Sequence, residues 1–350
     1  VKILSRYVSR IVFFSILAVL LVVLAVDVIA AIIEEASDIK MDYGFVDALA
    51  YVATTLPRRI YENIPLSALI GCLVGLGLLA SNTELVVMRS AGVSLLRIIG
   101  FVLRPVMLFI VVAVLLGEYA VPYTDQLAEG RRAILLGKQD LSRGFWNKEN
   151  NEFIHVSVVF PNGDLFGVSR YQFDDNAELE SASFAASANF IERGWVEKEG
   201  VVTYFGDGHT SAETFEQRQW HSKMSPQLLR LVSMEPESLS VSELYDYANY
   251  LQQQGQSAGI HWLAFWNKAL QPLTTLSLVL IAVSFIFGPL RESTTGLRIF
   301  AGVVTGIIFS TSQDLLGPAS LVYGFSAFWA VLAPIAVSIC IGLMLLRRAG

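Results

Sequence analysis

The chain has 350 residues, 54% hydrophobic and 16% charged, with a mean hydropathy of +0.54. Soluble domains carry about 25% charged residues, so a soluble enzyme of this size is excluded. A nucleic-acid binder would need a clustered basic face, and the net charge of −6 offers none: residues 138–258 hold 18 acidic against 9 basic side chains, while the remainder is mildly basic.

In chain order, the apolar stretches fall at about residues 11–33, 60–80 and 99–122, then 262–288, 298–316 and 325–346. Each is long enough for a helix of roughly 20 residues to cross a bilayer. The first, Ile11–Ile33, is too long for a signal-peptide core and has no small-residue cleavage site after it, so it is read as retained. Cys72 and Cys340 both sit inside apolar stretches and set no disulfide framework.

Positive charge orients the spans. Lys2, Arg6, Arg10, Arg89, Arg97, Arg104, Arg291, Arg298, Arg347 and Arg348 fall on one side, with only Glu84 and Glu292 as acids there. Both termini are therefore expected in the cytoplasm, and the insert between spans three and four on the outer face, the periplasm of a Gram-negative inner membrane.

Between spans two and three, Ser81-Asn-Thr-Glu84 reads as a capping box opening a short helix. Leu85, Val86 and Met88 would anchor that helix in a partner's groove, or the helix would lie on the membrane surface. At the outer ends of the first three spans stand Lys40, Arg58, Arg59, Arg131 and Arg132. Arginine suits bidentate phosphate contacts. Local pairing is the other reading, with Glu62 one turn from Arg58 and Arg59, and Glu129 three residues before Arg132.

From Phe153 to about Val232 the period shortens to strands with turn signals such as Pro161-Asn-Gly-Asp164, which predicts an all-β sandwich, jelly roll or barrel. An open sheet edge there could pair with another β domain. Ser240 and Glu243 form a second capping box, with Leu239 against Leu244 as its staple, for a helix ending near Gly255. Asp27, Glu118, Lys268 and Asp314 lie in or near the spans, where ionisable groups pair or line a wet cavity. A Glu118–Lys268–Asp314 network is the expectation.

No phosphate-cradling loop is present, since Gly137-Lys138 is followed by Gln139. His155, His209, His221 and His261 have no metal-site companions, so no metal and no cofactor is expected in this chain.

The expected fold class is an α-helical integral membrane protein of six transmembrane helices, three plus three, with an inserted all-β, jelly-roll-like periplasmic domain. The boundaries are 1–135 for helices one to three, with the short helix at about 81–92, then 136–238 for the β domain, 239–258 for a linker helix and 259–350 for helices four to six.

That layout resembles the lipopolysaccharide export permeases of the LptF/LptG family. Strings along the whole chain carry the likeness: Glu84-Leu-Val-Val-Met-Arg-Ser-Ala-Gly92, Gly144-Phe-Trp146 with Asn151-Glu-Phe-Ile154, Met234-Glu-Pro-Glu-Ser-Leu-Ser240, Lys268-Ala-Leu-Gln-Pro272, Ser284–Arg291, and Asp314-Leu-Leu-Gly-Pro318 with Leu321-Val-Tyr-Gly324. Ser284–Arg291 and the Val-Tyr-Gly close favour the LptG branch over the LptF branch.

The resemblance implies a transport subunit rather than an enzyme. It would pair with LptF on a dimer of the ATPase LptB, which binds the ATP and magnesium. Lipopolysaccharide would enter between span one of one permease and span five of the other, then pass through LptC to the periplasmic bridge. The helix after Ser81, at about 81–92, would be the coupling helix, with Glu84, Leu85, Val86, Met88 and Arg89 at the ATPase, and Arg132, Arg131 and Arg58 would face lipid phosphates.

This chain departs from the family at the end of span one, where lysines can stand. Here Ala31, Glu34, Glu35, Ser37 and Asp38 stand instead, so phosphate contacts would shift to Arg58, Arg59 and Lys40 or run through divalent ions. A polytopic enzyme or scaffold acting on lipid-linked substrates is the alternative, with Glu34, Glu35 and Asp38 as its acidic cluster. A permease of FtsX-like architecture would place its outer domain between spans one and two, unlike this chain.

Overall fold

The computed structural model describes residues 2–39, 43–136, 145–149, 151–160, 163–174, 178–191, 194–206, 209–220, 222, 229, 235–253, 257–288 and 293–349. Lys40, His221, Arg291, Glu292 and the expected helix stop at Gly255 lie outside them.

The helices are α1 (Lys2–Ala36), α2 (Phe45–Thr54), α3 (Leu56–Ser81), α4 (Glu84–Ser90), α5 (Leu95–Leu115), a π-turn (Leu116–Ala120) and α6 (Val121–Leu135). After the strands come α7 (Val241–Gln253), α8 (Gly259–Phe287), α9 (Thr295–Tyr323) and α10 (Ala327–Ala349). Among the described residues six are long and apolar enough to cross a membrane, the third running from Leu95 through to Leu135. They are longer than the apolar stretches alone indicate. At about 1.5 Å per residue, α1 spans roughly 50 Å, against about 30 Å of hydrocarbon. The short apolar α2 had no counterpart among the predicted elements. Pro65, Pro105, Pro272, Pro318 and Pro334 sit inside helices, as packed membrane helices tolerate.

The chain forms two compact units. The first comprises Val1–Ala31, Leu56–Val121 and Ser240–Gly350. Its core runs from Val12 and Ile16 on α1 through Leu69 and Leu73 on α3 and Val102 on α5 to Val279 on α8 and Ile335 on α10. Close helix approach depends on Gly71, where a Cβ would lie 2.5 Å from the Ile16 Cα. The second capping box forms as predicted. The Ser240 N–H donates to Glu243 Oε2 at 2.9 Å and the Glu243 N–H donates to Ser240 Oγ at 3.2 Å.

The second unit comprises Ile32–Thr55 and Pro122–Leu239. Its six strands are β1 (Phe145–Glu149), β2 (Glu152–Val159), β3 (Leu165–Phe173), β4 (Leu179–Ile191), β5 (Gly194–Gly206) and β6 (His209–Trp220). All neighbours are antiparallel and the spatial order is sequential. Among the described residues the all-β insert is thus a sequential antiparallel meander.

One row drops out of its ladders. Ser157, Gly167, Ala186, Glu199 and Glu216 are unpaired between paired neighbours, and Gly167 and Glu199 have φ of 64° and 51°. Across that row the members of the sheet's core cluster step by three, from Val156 to Val159, Leu165 to Val168 and Ala185 to Ala188. Side chains alternate with period two along a strand, so the inward face inverts there. Both stretches feed one core, together with Trp195 and Trp220.

The inner face also holds charge. Arg170 Nε lies 3.2 Å from both Glu152 and Glu197, and Arg218 Nη2 lies 2.7 Å from Glu197. Glu197 is 1% exposed. Burial lowers the Arg170 pKa and raises that of Glu152, each against the attraction of its partners.

Candidate functional site

The candidate residues fall into separate groups. At the first, α3 ends at Ser81, whose hydroxyl donates to its own helix at Leu78 O, 2.9 Å away. The predicted Ser81 capping box is therefore not formed. Thr83, with φ of 60°, turns the chain so that Glu84 opens α4. Glu84 accepts from the Tyr7 hydroxyl at 3.3 Å and from Asn82 at 3.5 Å.

The expected anchors divide. Leu85 and Met88, three apart, are buried in this chain's own core, because at that spacing they share one face. Val86, Val87 and Arg89 point outward. Of Leu85, Val86 and Met88, Val86 alone is exposed, together with Val87 beside it. Beside α4 opens a cavity of about 540 Å³ lined by Val86, Arg89, Phe287 and Arg298. Arg298 is 2% exposed and donates to Gly77 O at 2.7 Å. A Cβ on Gly77 would come within 2.8 Å of that guanidinium. The sequence showed Arg298 only as one more positive charge, because a carbonyl partner on a distant helix leaves no local signal.

The second group lies in the sheet-containing unit. Arg132 binds Glu35 and Asp38, each at 2.6 Å, and its guanidinium lies 5.1 Å from the Tyr51 ring. Tyr43 donates to the same Glu35 oxygen at 2.8 Å. Glu129, expected beside Arg132, instead accepts from the Tyr51 hydroxyl at 2.5 Å. Burial and then the Glu35 hydrogen bond raise the Tyr43 pKa, and burial and then Glu129 raise that of Tyr51. The acids closing α1 therefore hold the arginine; Glu35 and Asp38 are not an open catalytic cluster. Arg131 beside it is exposed, with no ion pair among the described residues. Lys40 lies outside the described residues.

The third group lies in the helical unit. Arg58 pairs with Glu62 at 2.9 Å, as the local reading has it, but Arg59 reaches Asp27 on α1 at 3.0 Å. The expected three-residue network is only partly assembled. Glu118 and Lys268 line one cavity of about 670 Å³, whereas Asp314 is exposed on α9 and does not line it. Glu118 accepts from the Val241 N–H at 3.0 Å and the Ser242 hydroxyl at 2.5 Å, so it secures the start of α7. Lys268 is buried, with its ammonium 5.6 Å from the Tyr61 ring. No cluster of three metal-binding side chains occurs among the described residues.

The sequence model of the family described as "Lipopolysaccharide export system permease LptF/LptG" matches residues 6–348. A relative from Escherichia coli, "Lipopolysaccharide export system permease protein LptG", is 32% identical over 355 residues, covering 99% of this chain and 98% of its own. A protein of the same name from Haemophilus influenzae is 33% identical over 346 residues, covering 95% and 94%.

Proposed function

Because the chain belongs to the LptF/LptG family of lipopolysaccharide export permeases, we propose that it works as one half of a paired permease whose α1 and α9 face the second half. As a family member it is a transport component of the inner membrane, the permease of an ABC-type lipopolysaccharide exporter. The observation that carries the pairing is burial. Only 17% of the most apolar stretch is buried in α1 and again in α9, against 67% in α3 and α8. A single chain thus leaves spans one and five as its open apolar faces, and large apolar faces mark surfaces that meet lipid or protein.

In this reading LptF supplies the other half, lipopolysaccharide enters between α1 of one permease and α9 of the other, and a dimer of LptB supplies ATP hydrolysis with its own ATP and magnesium. The termini and α4 lie in the cytoplasm, where the positive charges gather. The sheet lies in the periplasm, toward LptC and the bridge, and strand addition would take place at β1 or β6, the outer strands among the described residues.

The mechanism follows from how α4 is held. Leu85 and Met88 fix it to the bundle, while Val86, Val87 and Arg89 present a face to the ATPase. Arg298, bonded to the last turns of α3, ties the start of α9 to the helix that leads into α4. A push on α4 would reach α9 through that bond, because packed helices move as rigid elements. Closing of the ATPase would narrow the cavity between α1 and α9 and drive the acyl chains outward. Arg131 would meet lipid phosphate first. Arg132 would join it only by leaving Glu35 and Asp38, so phosphate binding and release of that pair are linked.

The test is purification of the tagged chain from native membranes in mild detergent, with co-eluting proteins identified by mass. A P-loop ATPase and a second six-span permease are expected; recovery of the chain alone would sink the reading. In the purified assembly, Val87→Asp and Glu84→Ala should lower lipopolysaccharide release per ATP hydrolysed. Unchanged coupling would remove α4 from the interface. Charge reversal at Arg131 should blunt the stimulation of ATPase activity by lipopolysaccharide.

A further inference from the structure

The cavity of about 670 Å³ beside the π-turn is not used by the transport path proposed above, and its chemistry specifies an occupant. The π-turn, Leu116–Ala120, adds a residue to a helical turn, a distortion common at functional sites. It places Gly117 where a Cβ would fall 2.8 Å from Tyr61 Cε2, so only glycine leaves room for that ring. Tyr61 in turn lies under the Lys268 ammonium, and Gln271 donates to its carbonyl at 3.0 Å. Lys268 therefore stands as a buried cation on an ordered floor.

The mouth carries the opposite sign. Asp246 on α7 lines the cavity, is exposed and has no ion pair among the described residues. Glu118 lines it as well, secured by the first turn of α7. Val114, Phe265, Ala269 and Pro272 supply an apolar wall. The depth is marked too: Tyr245, Trp262 and Phe265 pack edge to face or tilted at 5.5–5.9 Å between centroids, and such aromatic groups collect at headgroup level.

We infer that this cavity is a phospholipid site, distinct from the export path, that takes a zwitterionic headgroup with a primary ammonium. The phosphate would lie toward Lys268 and the ammonium would donate to Asp246 at the mouth. One acyl chain would follow Phe265, Ala269 and Pro272. A phosphoethanolamine headgroup meets both charges. A phosphoglycerol headgroup leaves Asp246 facing net negative charge, and a choline headgroup has no N–H to donate. The volume falls within the range of about 300–1,000 Å³ typical of ligand sites, enough for a headgroup and the first part of its chains. A lipid held by α8 and α7 together would fix α7 on the bundle.

This inference does not rest on the export reading, since lipid retention is read without transport. The full-length protein, with whatever co-elutes, is delipidated in detergent, offered dioleoyl phosphatidylethanolamine, phosphatidylglycerol or phosphatidylcholine, and examined by native mass spectrometry. Phosphatidylethanolamine should be retained about tenfold better than the other two, a difference of about 1.4 kcal/mol. Lys268→Met should abolish that retention, and Asp246→Asn should erase the preference over phosphatidylglycerol. Ala269→Trp fills the cavity while leaving both charges in place, so it should expel the lipid even where Lys268→Met fails to fold. Equal retention of phosphatidylglycerol by the unaltered protein would overturn the headgroup assignment. Undiminished retention by Ala269→Trp would overturn the site. Displacement of phosphatidylethanolamine by added lipopolysaccharide would assign the cavity to the exported lipid and overturn the claim of a separate site.

Discussion

The helical unit and the sheet unit bury charge in different ways. In the helical unit buried cations meet neutral groups: Arg298 donates to the carbonyl of Gly77, and Lys268 lies over the ring of Tyr61. In the sheet unit, charge is met by charge, Glu197 lying between Arg170 and Arg218 with Glu152 beyond. Helices satisfy their own backbone, so a helical bundle can turn a spare carbonyl or an aromatic ring toward a buried cation. A sheet's carbonyls are spent on its ladders, and a charge turned inward must find an opposite charge or go unpaired. The helical unit is therefore sensitive to shape and the sheet unit to charge.

Removing the central acid of the sheet network is the sharpest way to break that contrast. Glu197→Ala leaves two partly buried guanidinium groups without their shared partner, and loss of one member of a buried pair costs about 3–5 kcal/mol. Urea unfolding followed by fluorescence of Trp195 and Trp220 should show the loss. A change within about 1 kcal/mol would place the network in the class of surface pairs.

Shape should dominate in the helical unit. Gly71→Ala drives a methyl into the backbone of Ile16, and overpacking of this kind costs about 1–3 kcal/mol. Thermal aggregation in detergent should begin earlier, whereas an unchanged onset would mean that α1 and α3 separate freely. Next in size is Glu118→Ala, which strips α7 of the acceptor at its first turn. Loss of a cap costs about 1 kcal/mol, and hydrogen exchange across Val241–Gln253 should quicken while α8 is unaffected.

The smallest effect is a pH dependence confined to the sheet unit. His155 is fully buried beside Trp146, its ring nitrogens have no hydrogen-bond partner among the described residues, and burial lowers its pKa. The unfolded chain then takes up a proton before the folded one does. The contribution of the neutral ring is intact above about pH 6.5, the unfolded value, and fades as pH falls from there through the lower folded value. His155→Phe should flatten this part of the unfolding profile; an unaltered profile would assign the acid sensitivity to the carboxylates.

The six apolar runs, the switch to short strands from Phe153 and the capping box at Ser240 and Glu243 were all legible in the sequence, because each is written in neighbouring residues; the first strand, Phe145–Glu149, lies ahead of that switch. Span length, strand alternation and cap spacing are local rules. The basic residues at the span ends were legible as positions, but not as bonds. Arg132 meets Glu35 and Asp38 from nearly a hundred positions away, Arg59 meets Asp27, and α4 turns Leu85 and Met88 inward. Which acid meets which arginine depends on how helices far apart in the chain come to lie side by side. The same holds for the inverted row in the sheet, where Gly167 and Glu199 come into register only once the strands pair. Sequence by itself determined the kinds of element, their order and their attachment to a membrane. Tertiary structure alone decided the partners of the charges, because electrostatic energy depends on distance in space and not on distance along the chain.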